Sequence, residues 1–151
     1  MKSNELRIGN VIHFPFHAEN VKIVGVGISE DFKTTKIQVE TEGSILMDVP
    51  SVFKPIPLTE EWLVKFGFEQ SKDADWIWTL KIKGYESPWE KITFNTTRKK
   101  GWLFAAISAN GKVSIENVHQ LQNIYYALTG DELTDLMALQ KPKCGGKKEK
   151  D

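Results

Sequence analysis

Three stretches of this chain hold side chains whose types and spacing suit recognition or catalysis. In NVHQLQNIYYALTG (117–130), His119, Gln122, Asn123 and Tyr126 recur at intervals of three and four, which aligns side chains along one side of a helix. Imidazole, amide and phenol groups hydrogen-bond adaptably, so these four together with Trp102 are the candidate protein-contact set. In NTTRKKGW (95–102), Arg98, Lys99 and Lys100 stand at an expected hairpin tip, with Trp76, Trp78 and Trp89 on neighbouring strands. An aromatic platform with a cationic rim binds single-stranded nucleic acid by base stacking and phosphate contact. The bland alternatives are a wet helix face in the first case, and a charged turn over a tryptophan-rich core in the second.

The third stretch is HFPFH (13–17). Spacing of four would align two imidazoles for zinc on a helix, but Pro15 between them forbids the helix. With no nearby Cys and no third ligand, His13 and His17 read as strand-end residues rather than a metal site. Cys144 has Lys141, Lys143 and Lys147 around it, which would lower its pKa, yet a nucleophile also needs a positioned base on rigid structure. GVGISE (25–30) lacks the third glycine and the following helix of a dinucleotide fingerprint, and no P-loop, HExxH or GxSxG is present. Glu60–Glu61 and Asp131–Glu132 sit at expected helix starts, where the dipole accounts for them. No catalytic residue, metal or cofactor is implied, and the expectation is a protein that is not an enzyme.

Composition sets the frame for positioning these groups. The chain has 151 residues, is 40% hydrophobic and 26% charged, and contains one cysteine, so it has no internal disulfide. This length buries a core without staples. No apolar run approaches the roughly 20 residues of a membrane helix, and MKSNELRIGN lacks a signal-peptide h-region. The expectation is a cytoplasmic bacterial protein with no membrane association. Net charge is zero, but KPKCGGKKEKD (141–151) holds five Lys against one Glu and one Asp, leaving the first 140 residues at −3. A mildly acidic body argues against a dedicated duplex binder. The basic tail, without apolar residues, is expected to be disordered.

Residues 1–56 read as a β-rich module: VIHF, NVKIVGVGI, TTKIQVE and SILMDV are short, β-branched and punctuated by Gly, Asn and Pro. Ile37 and Val39 alternate with polar neighbours. Ile45, Met47 and Val49 alternate with Ser44, Leu46 and Asp48, with Leu46 spoiling the pattern, and TEGS (41–44) fits a tight hairpin. A strongly bent sheet of this kind suggests a small SH3-like barrel, which solves the edge problem by closure. KPIPLTEEWLVKFGF (54–68) predicts a short helix over 60–66: Thr59 caps, Glu60 and Glu61 meet the dipole, Leu58 and Leu63 staple, and Gly67 stops it. The α+β module, 57–140, continues with strands at 75–82, 89–94, 102–108 and 112–115, the last two joined by Asn110-Gly111. In the first of these strands Trp76, Trp78 and Leu80 share a face. A helix starting at Asn117 follows, with Gln120 as capping partner and Val118, Leu121, Ile124, Tyr125 and Leu128 as its apolar stripe; Gly130 ends it, and 131–140 reads as one more short helix. The fold class is α+β: an SH3-like module, a short helix, a four-stranded antiparallel sheet and a C-terminal helix.

ELRIGNVI, KPIPLTEEWLVKFGF and VHQLQNIYYALTGDEL resemble strings in small proteins encoded by bacterial prophages and other mobile elements. The resemblance covers about a third of the chain and implies a setting rather than an activity. The leading expectation is a non-enzymatic binding or adaptor protein with a protein partner. The alternatives are single-stranded nucleic-acid binding and sequestration of a small ligand such as a nucleotide. Eight Phe, five Trp and three Tyr exceed what a small core needs, and exposed ones would mark an interface.

Overall fold

The computed structural model describes residues 3–17, 19–29, 33–81, 91–99, 102–107 and 115–134. The fold is α+β, with two four-stranded antiparallel sheets and few helices. The first sheet runs β1 (Val11–Phe14), β2 (Glu19–Ile28), β3 (Thr35–Thr41), β4 (Ser44–Asp48), each strand beside the next. Its inner face buries Ile12, Phe14, Val21, Ile23, Ile37 and Val39 with Phe53. Ile37 and Val39 alternate with polar neighbours as their period requires.

The expected barrel is not formed among the described residues. A single-turn 3-10 segment, Pro50–Val52, carries the chain from β4 back towards β1. There Lys54 exchanges both backbone hydrogen bonds with His13, at 2.9 and 3.0 Å. Pro55 and Pro57 follow, and proline has no N–H to give a ladder, so the return strand ends at one bridge. The sheet remains an open meander.

The second half begins with α1 (Glu60–Lys65). Thr59 Oγ1 accepts from Trp62 N, and Glu60 and Glu61 occupy the first turn. At the far end Gly67 sits at φ +84°, while Gly67 N donates to Val64 O and Phe68 N to Leu63 O. That pair of bonds is a Schellman stop, and its apolar partners Leu63 and Phe68 lie together in the second core. The second sheet has the order β5 (Glu69–Gln70), β6 (Ile77–Lys81), β7 (Lys91–Lys99), β8 (Trp102–Ile107). β5 has no counterpart in the sequence reading, and β7 runs five residues past the expected end at 94. The expected strand at 112–115 and the Asn110-Gly111 turn fall outside the described residues, apart from buried Ile115.

α2 (Val118–Thr129) packs on this half, where Val118 and Leu121 join Ile56, Leu58, Leu63, Phe66, Trp78 and Leu80 in one cluster. Gln120 Oε1 accepts from the N–H groups of Glu116 and Asn117, and Gly130 ends the helix at φ +76°. Residues 131–134 are not helical; the rest of the expected last helix, and the 141–151 tail with Cys144, lie outside the described residues. The linker ties the halves together. Leu58 N donates to Glu116 O and Val118 N to Ile56 O, while Val11 of β1 packs against the second core.

Candidate functional site

The polar side of α2 is not wet. His119 and Gln122 are each 1% exposed. The reason lies in the segment preceding β1, which runs across the helix. Gln122 Oε1 accepts from Val11 N at 2.8 Å, and its Nε2 donates to Gly9 O (3.4 Å) and Leu133 O (3.2 Å). Asn123 Oδ1 accepts from Asn10 Nδ2 at 2.8 Å and from Arg7 Nε at 3.3 Å, while its Nδ2 donates to Glu5 O at 2.8 Å. These amides pair backbone groups at the entry to β1, namely Glu5 O, Gly9 O and Val11 N, while Gly9 N and Asn10 O are paired with Ile23 of β2. The expectation of a wet helix face is therefore corrected: the N-terminal half of α2 is covered on its apolar side by its own core and on its polar side by residues 5–11.

Arg7 finishes the junction. Its guanidinium pairs in two-pronged fashion with the Glu132 carboxylate, the second contact being Nη2 to Oε2 at 3.0 Å. It also donates to Ile8 O at 2.9 Å and stacks 4.1 Å from the centre of the Tyr126 ring. Tyr126, half-exposed, is thus engaged from one side. Gly9 adopts φ +94° directly beneath the Glu132 carboxylate. Arg7, Gly9 and Asn10 are not singled out by the sequence, and Glu132, expected at a helix start, instead pairs with Arg7, because nothing in a single chain's spacing says that residues 5–11 meet residues 119–132. The available signal was that ELRIGNVI and VHQLQNIYYALTGDEL stand out as strings, and these are the segments that meet.

His119 has no hydrogen-bond partner for either ring nitrogen among the described residues. Burial lowers its pKa; the charge of Glu5 works against that shift, and the amino terminus adds to it. A base whose folded pKa lies below its unfolded value of about 6.5 stabilises fully above that value and loses the contribution as pH falls towards the folded pKa. Urea-unfolding stability is therefore expected to be flat near neutrality and to fall below about pH 6.5, by up to about 1.4 kcal/mol per pH unit from this group. His119→Leu should flatten that limb, and at neutral pH leave the protein as stable or more so, since two unpaired buried groups disappear. An unchanged acid limb would assign it to other groups.

The second candidate set divides. Trp78 is 4% exposed, pairs with Phe94 across the sheet and belongs to the core, so it offers no stacking face. Trp76 precedes β6 and is exposed, so Trp76, Trp78 and Leu80 do not share a face as expected. The ladder sets Arg98 opposite Leu103 and Lys99 opposite Trp102, which makes the NTTRK run strand rather than turn. Lys100 and Trp89 lie outside the described residues. Among the described residues no three His, Cys, Asp or Glu side chains gather in a metal-binding group. His13 Nδ1 contacts Asn20 Oδ1 at 3.2 Å, and His17 stacks on Phe14.

An open surface does appear at β4. Ile45 is 67% and Met47 57% exposed, on the strand that ends the first sheet. The sequence pattern had these two facing in. The two-residue turn Glu42–Gly43, with Gly43 at φ +86°, instead sets Leu46 opposite buried Val39, and so turns Ile45 and Met47 outward beside Glu40 and Gln38. No helix of the described residues is long and apolar enough to cross a membrane. Comparison with protein-family models, curated proteins and solved structures finds no match to this chain.

Proposed function

We propose that this chain is a non-catalytic binding or adaptor protein, in the setting of a prophage or mobile element, that acts through contacts of its surface with another polypeptide. One observation carries the reading: among the described residues β4 is an edge strand with two large apolar side chains turned outward and no lysine, proline or bulge in it. Edge strands in soluble proteins are blunted by lysine, proline, bulges or a covering loop. SILMD has no lysine or proline, its register with β3 is unbroken, and β4 ends the sheet. Such an edge takes up an extended segment by backbone pairing, with pockets for alternate side chains supplying preference. The amides of Gln122 and Asn123, by contrast, are engaged in joining the two halves.

A benzophenone amino acid placed at Met47 and irradiated in the host cell tests this. The expected result is a covalent adduct with a polypeptide. No adduct, or specific turnover in a broad substrate screen, would remove the reading. The nucleic-acid alternative is weakened by the burial of Trp78, which leaves its aromatic platform without one of its three named tryptophans.

A further inference from the structure

We infer that the polypeptide taken up at β4 is a second copy of this chain, paired antiparallel across a two-fold axis at Leu46; the inference rests on the binding reading above. Backbone direction is the first ground. The two-residue turn closes on the Thr41–Ser44 pair, and hydrogen-bonded pairs alternate with unbonded ones along an antiparallel ladder. The N–H and C=O groups of Ile45 and Met47 are accordingly directed away from β3, towards the open side. Two copies centred on Leu46 bring Ile45 of each opposite Met47 of the other, which are the residues whose groups are free to bond there.

Side-chain complementarity is the second ground. Ser-Ile-Leu-Met-Asp is polar at both ends and apolar between, so it reads alike from either direction. The two-fold pairing joins four outward apolar side chains into one patch on the outer face. On the inner face Leu46, half-buried against the first core, meets its own counterpart and extends that core across the joint. Ser44 falls opposite Asp48, a hydroxyl facing a carboxylate, and no like charges are opposed within the strand. Of the other sheet ends, β1 is taken at His13 by Lys54 and β5 is two exposed polar residues, Glu69 and Gln70; β8 also ends the second sheet, but its WLFAAI lacks the polar ends that make SILMD read alike in both directions. A five-residue edge is small beside the interfaces of permanent dimers, so the pairing is expected to be weak and concentration-dependent.

Sedimentation equilibrium over a concentration series is the test, with two variants at exposed positions that leave the fold intact by circular dichroism. Ile45→Lys with Met47→Lys sets like charges opposite each other and should leave monomer only. Ile45→Lys with Met47→Glu sets Lys opposite Glu in this register and should still dimerise, with association reduced by raised salt. Dimers of the natural chain that persist equally in both variants would overturn the inference by placing the interface elsewhere. A monomer at every concentration whose Met47 adduct contains a different protein would also overturn it, while leaving the binding reading standing. A monomer with no adduct would remove both.

Discussion

Replacing Gln122 by Leu is expected to destabilise the protein by about 3–5 kcal/mol, far more than its near-equal volume suggests. Leucine fills the same space, so no large cavity opens; the loss is in hydrogen bonds. Val11 N, Gly9 O and Leu133 O would all lose the side chain that satisfies them in a site where Gln122 is 1% exposed. Each buried group left unpaired costs about 1–3 kcal/mol, and water that relaxes into the site recovers part of it. Urea unfolding measures the total. Amide exchange locates it: the Val11 N–H should be protected in the natural protein and exchange much faster in Gln122→Leu. A loss below about 1 kcal/mol with Val11 still protected would mean that Gln122 is not the joint between β1 and α2.

Gly9→Ala should cost about 2–3 kcal/mol for two reasons that act at one position. At φ +94° an alanine is strained by about 1–2 kcal/mol. A Cβ built there would stand 2.6 Å from Glu132 Oε2 and 2.8 Å from its carboxyl carbon, closer than atoms approach. Glu132 must then swing away from Arg7. Both side chains of that pair are partly exposed, at 25% and 37%, so the ion pair itself contributes little, up to about 1 kcal/mol. The two reasons separate in a double variant. In Glu132→Ala the obstruction is gone, so adding Gly9→Ala should cost only the backbone strain, and the two changes should fall short of additive by at least about 0.5 kcal/mol. Strict additivity would show that the carboxylate does not crowd Gly9.

Both predictions concern a junction rather than a reaction centre, and that follows from what His119, Gln122 and Asn123 do. They were legible as a row of polar groups on a helix, a pattern that fits a recognition surface and a buried seam equally well. Only the path of residues 5–11 distinguishes them. With Gln122 and Asn123 satisfying the backbone of that segment, the protein-contact set predicted from the sequence retains Tyr126 as a half-exposed member, itself stacked by Arg7. The second surface, at β4, shows the opposite case. The alternation of Ile45, Met47 and Val49 points them inward, whereas the four-residue turn 41–44 sets Leu46 inward instead. Counting pairs outward from Glu42–Gly43 places Leu46 opposite Val39, and a one-residue difference in such a count exchanges the two faces of a strand.

What the sequence by itself determined was local. Thr59, Leu58, Leu63 and Gly67 delimit α1, Gln120 and Gly130 bound α2, the alternation of Ile37 and Val39 marks a strand with one buried face, and Pro55 with Pro57 ends the first sheet. Each of these rests on interactions spanning a few residues, whose geometry the backbone and side-chain types dictate wherever they occur. The tertiary structure decided the rest: that the first sheet stays open, that residues 5–11 cover the polar side of α2, that Trp78 is core rather than platform, and that β4 is left as an edge. These outcomes depend on which surfaces meet across more than a hundred residues, where many pairings satisfy the same local pattern. Among the described residues, the one adopted here leaves the buried side-chain polar atoms paired, apart from the two His119 ring nitrogens and Trp78 Nε1.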